Sequence, residues 1–244
     1  MNYKLILSYD GSRYDGWQKQ GNTPNTIQGK LEAVLSRHEG KEVEVHGAGR
    51  TDAGVHAACQ VANVKLGCGI SPEGLIDYVN QYLPDDIALL SAEEAPERFH
   101  ARLSAKAKLY RYSLRMGPVP EVFRRKYQYR VEEPLDIAAM RKAAAKLCGT
   151  HDYRAFCSLK RYKKSTVRRV DSINIVRDGD NLDIDFYGEG FLYNMVRIMA
   201  GTLIEVGLGQ RSPDEMEDIL CSLDRSKAGK TAPAQGLCLM KVEY

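Results

Sequence analysis

No stretch of this 244-residue chain approaches the roughly 18 consecutive apolar residues of a membrane-spanning helix. Its first ten residues, Met1 to Asp10, lack a basic patch followed by a long apolar run, which argues against a secretory signal. Both absences predict a cytoplasmic chain with no membrane partner. Six cysteines are present, Cys59, Cys68, Cys148, Cys157, Cys221 and Cys238, but no Cys-x-x-Cys pair. Zinc spacing is therefore missing, and without an export signal the thiols are expected reduced rather than paired. The histidines (His38, His46, His56, His100 and His151) show no metal-ligand spacing either, so no metal is expected. No low-complexity linker interrupts the chain, which predicts parts packed together rather than tethered.

What is present is ordinary globular material with uneven charge. Hydrophobic residues make up 43% and charged residues 27%, enough for a sizeable core and against disorder. The length suits two domains. The net charge is only +3, yet residues 1–105 carry 10 Lys/Arg against 14 Asp/Glu, and residues 106–244 carry 25 against 18. A basic second half suits a polyanionic partner, although a solvated surface would look the same.

Periodicity predicts two similar halves. In the first, Tyr3–Tyr9 alternates like a strand, and Thr26–Arg37 is a helix with Ile27, Leu31, Val34 and Leu35 on one face. Val43–His46 and Cys59–Leu66 read as strands, Ser71-Pro72 opens a helix, and Ile87–Ser91 is a strand. In the second, Lys108–Met116 is a strand and Asp136–Leu147 a helix. Thr166–Val176 and Leu182–Tyr187 form a hairpin over Asp178-Gly179. Phe191–Val206 is a helix, Ser212-Pro213 starts another, and Gly236–Tyr244 is a closing strand. The orders βαββαβ and βαββααβ predict an α+β fold of two split-βαβ, ferredoxin-like halves. Their antiparallel sheets are expected to pack together around a central cleft, with domains at 1–105 and 106–244.

The densest chemical signal is Gly47-Ala48-Gly49-Arg50-Thr51-Asp52-Ala53-Gly54-Val55-His56-Ala57. Its glycines allow unusual backbone angles and close approach of a large ligand, and an arginine and an aspartate sit between them. It reads G-x-G-x-x-D and leads into a strand, so the helix terminus of a dinucleotide site is missing. A glycine-rich loop with a capping aspartate would share these features.

This run resembles the signature of the tRNA pseudouridine synthase A family. Other segments agree in order: Tyr9-Asp10-Gly11 through Gly16-Trp17-Gln18, Tyr110-Arg111-Tyr112, and His151 through Cys157. Phe191 through Arg197 and Thr231 through Leu237 complete the resemblance, which spans essentially the whole chain. Tyr14 and Tyr153 depart mildly, standing where phenylalanine is commoner in the family. The resemblance implies an isomerase that detaches uracil from its ribose and rejoins it through C5, at uridines 38, 39 and 40 of the tRNA anticodon arm. It implies a homodimer, RNA binding in the central cleft and no cofactor.

The chemistry then assigns roles. Asp52 is the expected catalytic nucleophile. Whether it attacks C1′, attacks C6 or acts through a glycal is left open, since each route uses a carboxylate. A stacked uridine must be flipped out, and an aromatic face returns about 1–3 kcal/mol per base. Tyr110 is the family's candidate for that ring. Burial alone would neutralise an aspartate, and a guanidinium opposes this. Arg197, inside an apolar helix, is the implied partner of Asp52. Arg50 is expected to help displace the target base.

Lys160, Arg161, Lys163 and Lys164 form a basic run followed by Arg168 and Arg169, and Arg124, Arg125 and Lys126 form a second cluster. Such clusters hold phosphates without reading bases. The competing function is a non-catalytic RNA-binding protein of split-βαβ architecture, but no RNP1-type aromatic run is present. A zinc deaminase is excluded by the missing H-x-E and P-C-x-x-C signatures.

Overall fold

The computed structural model describes residues 1–67, 69–159, 161 and 165–244. The chain divides into two compact units, Met1–Lys106 with Cys238–Tyr244, and Ala107–Leu237.

In the first unit β1 (Asn2–Tyr9) buries Tyr3, Leu5, Leu7 and Tyr9 by simple alternation. Helix α1 (Ile27–Glu39) starts where the Thr26 side chain accepts the Gly29 N–H and stops at Gly40, whose φ is 71°. Its buried face carries Ile27, Leu31, Val34 and Leu35, as the periodicity predicts. Short β2 (Val45–Gly47) and long β3 (His56–Lys65) follow, then α2 (Pro72–Tyr82), capped by Ser71, and β4 (Ile87–Ala95). Strands β4, β1 and β3 pair antiparallel in that order, and β2 lies antiparallel on the far side of β3. That is the split-βαβ arrangement.

In the second unit β5 (Ala107–Met116) alternates with Tyr110, Tyr112, Leu114 and Met116 inward. A three-residue strand, β6 (Tyr129–Val131), runs parallel to it. Helix α3 (Ile137–Lys146) is capped by the Asp136 carboxylate, which accepts the Ala139 N–H. Next come β7 (Gly149–Asp152), β8 (Val167–Asp178) and β9 (Asn181–Gly188), giving the order β5-β9-β8-β7, all antiparallel. Helix α4 (Met195–Gly207) is buried on every side except at Arg197 and Glu205. Helix α5 (Glu215–Ser222) completes the unit.

The closing strand β10 (Leu237–Glu243) lies parallel to β3, with Cys238 opposite His56 and Leu239 opposite Ala57. It shares that side of β3 with β2, which occupies the other end, at Ala62–Val64.

The structure corrects details of the sequence reading. The sheets are mixed rather than wholly antiparallel, because β6 and β10 each run parallel to a neighbour. The closing strand, read with the second half, groups with the first. The helix expected from Phe191 begins at Met195, because Asn194 takes the left-handed conformation at φ 60°. The hairpin turns over Gly179-Asp180, since Asp178 pairs with Asn181 and Gly179 supplies φ 58°. Cys59, Cys148, Cys157 and Cys221 are free. Among the described residues no helix is long and apolar enough to cross a membrane.

Candidate active site

The Asp52 loop leaves β2 at Gly47 and re-enters the sheet at His56. It is pinned by β1, by β3 and by the chain between β1 and α1. The Ala48 N–H donates to the Val61 carbonyl at 2.7 Å. Gln60, wholly buried, donates from its amide to the Gly49 carbonyl at 3.0 Å. Thr51 exchanges a 2.9 Å hydrogen bond with the Tyr9 hydroxyl, and its carbonyl accepts the Trp17 N–H at 3.0 Å. Burial pushes the Tyr9 hydroxyl far above its usual pKa, so that proton is always present. Past Asp52 the loop turns tightly: the Val55 N–H donates to the Asp52 carbonyl at 3.1 Å, and Gly54 supplies φ 78°.

Two glycine contacts explain why the segments fit. A Cβ on Gly47 would stand 2.5 Å from the Trp17 indole nitrogen, and one on Gly11 would stand 2.0 Å from the Val55 carbonyl oxygen. Only bare backbone can pass at both places. His56 is part of the same frame, since its Nδ1 accepts the Gly11 N–H at 3.1 Å. That is a structural use of the residue.

The Asp52 side chain is half-buried, and Arg50 is exposed two positions earlier. The Arg50 Nε donates to the Gln18 Oε1 at 3.0 Å. Gln18 in turn belongs to a buried polar cluster with Gln28 and Glu32 that the sequence reading missed. Its only sequence signal is a glutamine and a glutamate four apart on the otherwise apolar face of α1.

The other expected residues lie in the second unit. Tyr110 on β5 is 7% exposed, and Phe191 meets its ring edge-on with centroids 5.4 Å apart. Arg197 is half-buried on α4. Its Nε donates to the Ala232 carbonyl at 2.8 Å and its Nη1 to the Asn194 side chain at 3.1 Å. The left-handed Asn194 thus both delays the helix and steadies the arginine. Gly201 lets the 230–232 segment approach α4, for a Cβ there would stand 1.8 Å from the Lys230 carbonyl oxygen.

Of the basic run, Lys160, Lys163 and Lys164 lie outside the described residues, and Arg161 is exposed. Arg168 pairs across to His151 in the β7–β8 ladder, while Arg169 meets the Asp171 carboxylate at 2.9 Å. Arg124, Arg125 and Lys126 are exposed.

The profile of one family, described as tRNA pseudouridine synthase, matches residues 5–103 and 143–244. Among curated proteins, the tRNA pseudouridine synthase A of Bacillus sp. (strain KSM-64) is 48% identical over 243 residues, covering 100% of this chain and 99% of that protein. The protein of the same name from Brevibacillus brevis is 45% identical, covering 99% of this chain and 98% of that protein. The one from Pelobacter propionicus is 46% identical, with 99% of this chain and 98% of that protein covered. A chain of a solved Cbf5-Nop10-Gar1 complex aligns at 14% identity over 97% of this chain and 48% of that one, with a TM-score of 0.38, too distant to inform the fold. The α+β halves and the pinned Asp52 loop thus belong to a class of isomerases rather than to a non-catalytic RNA-binding module. The chain belongs to the tRNA pseudouridine synthase family.

Proposed function

We propose that this protein isomerises uridine to pseudouridine at positions 38, 39 and 40 of the tRNA anticodon arm, with Asp52 as the nucleophile. The observation that carries the assignment is the loop itself. Asp52 is the carboxylate of a strand connection whose flanking residues are fixed by Trp17, Tyr9, Gln60 and Tyr14, so it is presented without reorganisation. Tyr110 offers a ring for the flipped uracil, and its edge-on contact with Phe191 holds that ring still. Arg197, tethered through Nε and Nη1, is the cation proposed to keep Asp52 ionised. Arg50 is proposed to displace the target base. The roles of the two parts follow: residues 1–105 carry the nucleophile, and the basic residues 106–244 complete the site and hold tRNA. Arg161, with Lys160, Lys163 and Lys164, is proposed to hold phosphates.

The working protein is proposed to be a cytoplasmic homodimer, with one tRNA spanning both copies. A tRNA is large beside a 27.3 kDa chain. Sedimentation at micromolar concentration checks this, and a fully active monomer overturns it.

Incubation with unmodified tRNA followed by mapping of pseudouridine tests the reaction. Asp52→Asn keeps the size and removes the charge. It is expected to abolish isomerisation while tRNA affinity stays within about tenfold of wild type. Pseudouridine formed at the normal rate by Asp52→Asn removes the nucleophile assignment.

A further inference from the structure

Arg50 is held by a chain of amides whose polarity is fixed from the buried end. Glu32 is 5% exposed on α1, and its Oε1 accepts the Val45 N–H at 3.0 Å and the Gln28 Nε2 at 2.9 Å. Its other oxygen faces the Lys19 ammonium at 3.2 Å, which raises the pKa of that lysine. Gln28 is 6% exposed, and its orientation is fully determined. The Nε2 also donates to the Val45 carbonyl at 3.0 Å, and the Oε1 accepts the Lys19 backbone N–H at 2.8 Å. A carbonyl and a backbone N–H have fixed roles, so Gln28 cannot be turned over without leaving buried groups unsatisfied.

The determination passes outward. Gln28 presents an oxygen, so the Gln18 atom 2.7 Å away must be its amide nitrogen. The Gln18 oxygen therefore faces the other way, toward Arg50, whose Nε can only donate. The bond runs through Nε, which restrains the orientation of the guanidinium.

We infer that Gln18 is a positioning residue for Arg50, with its polarity set by Gln28 and Glu32. It presents the guanidinium in one orientation for its work on the target uridine. The inference rests on the proposed role of Arg50 at that uridine. Without Gln18 the arginine must be ordered during each turnover, and that ordering entropy slows the step that Arg50 serves.

The test uses the full-length enzyme and single-turnover rates at saturating tRNA. Gln18→Met keeps the length and removes both hydrogen bonds. It is expected to slow the reaction about tenfold, as for a lost hydrogen bond to a charged group, with the melting temperature unchanged. Gln18→Glu keeps an acceptor for Arg50 but turns a carboxylate oxygen onto the Gln28 Oε1, so it is expected to stay well below the wild-type rate. Arg50→Ala is expected to be slow, and adding Gln18→Met to it is expected to cause no further loss, because the glutamine acts only through the arginine. Three outcomes overturn the inference while the role of Arg50 stands. These are a normal rate for Gln18→Met, a wild-type rate for Gln18→Glu, or a full second loss in the Arg50→Ala background. A normal rate for Arg50→Ala instead removes the role of Arg50, and the inference with it.

Discussion

Residues 47–57 and 118–130 are both connections beside strands, and they are built in opposite ways. The first has its backbone carbonyls and N–H groups taken up by Val61, Gln60, Trp17 and Tyr14, and most of its side chains are at least half-buried. The second turns its large side chains outward: Val119 is 69%, Val122 58% and Phe123 90% exposed. Arg124, Arg125 and Lys126 follow directly, and the open pocket there is lined by Arg115, Glu121, Arg124, Arg125 and Gln128 among others. The segment that carries Asp52 is held by backbone hydrogen bonds before and after that residue. A segment with exposed cations and rings leaves them open to solvent or to a partner.

Replacing an aromatic residue by alanine in each region breaks the comparison most sharply. Trp17 is 2% exposed and walls the Asp52 loop through Gly47. Trp17→Ala is expected to cost about 3–5 kcal/mol of stability in urea unfolding. Phe123→Ala, at an exposed site, is expected to stay within about 0.5 kcal/mol. Equal costs would mean that the first loop is not held by packing.

A smaller effect is expected from adding one methyl. Gly47→Ala puts a Cβ 2.5 Å from the indole, so the ring or the strand must give, at about 1–3 kcal/mol. Gly190→Ala is the control, for no atom lies within 4 Å of a Cβ there. A Gly47→Ala melting temperature equal to that of Gly190→Ala would show slack beside Trp17.

The frame of the first loop should also respond to acid. Tyr14 accepts the Gly54 N–H at its carbonyl, and its hydroxyl donates to the Asp86 carboxylate at 2.5 Å. Burial raises the Asp86 pKa, but the bonds from Tyr14 and Arg13 outweigh it and leave the group below its ordinary value. A carboxylate depressed in the folded state stabilises above its unfolded pKa, and the gain disappears as pH falls through the folded value. Wild type is therefore expected to exceed Asp86→Asn in stability at pH 6 and to lose that advantage below about pH 4. Tyr14→Phe removes one of the bonds and is expected to cost about 1 kcal/mol at pH 6. A stability difference between wild type and Asp86→Asn that does not change with pH would remove this tie.

The same residues mark how far the sequence could be read. Tyr14 and Tyr153 departed from the family pattern, and their hydroxyls explain how the fold accepts them. Tyr14 reaches Asp86, and Tyr153 donates to the Leu147 carbonyl at 2.7 Å. Strands, caps and the glycine-rich loop were legible because alternation, Thr26, Ser71, Asp136 and the glycines act within a few residues of themselves. The Glu32 cluster was not, because its partners come from Val45 and Lys19, and helical periodicity registers only the apolar face beside it. The strands β6 and β7 are too short to alternate. The pairing of β10 with β3 joins residues some 180 positions apart, and no local pattern encodes that choice.

The smallest stability effect and the clearest binding effect should come from the second region. Arg124 and Arg125 are exposed, and the Arg125 backbone carbonyl accepts the Gln235 amide at 3.3 Å, so the segment keeps its backbone anchor when side chains change. Arg124→Ala with Arg125→Ala should thus leave stability within about 0.5 kcal/mol. Each phosphate contact contributes roughly 0.7 to 0.9 to the slope of log affinity against log salt concentration. If both arginines meet tRNA phosphates, the double variant flattens that slope by about one and a half units, with the single-turnover rate at saturation unchanged. Binding measured at several salt concentrations, for wild type and the double variant, reads this directly. A lower affinity with an unaltered slope would place these arginines against something other than phosphate. A lower rate at saturation would draw this open region into the chemistry that the comparison assigns to the closed one.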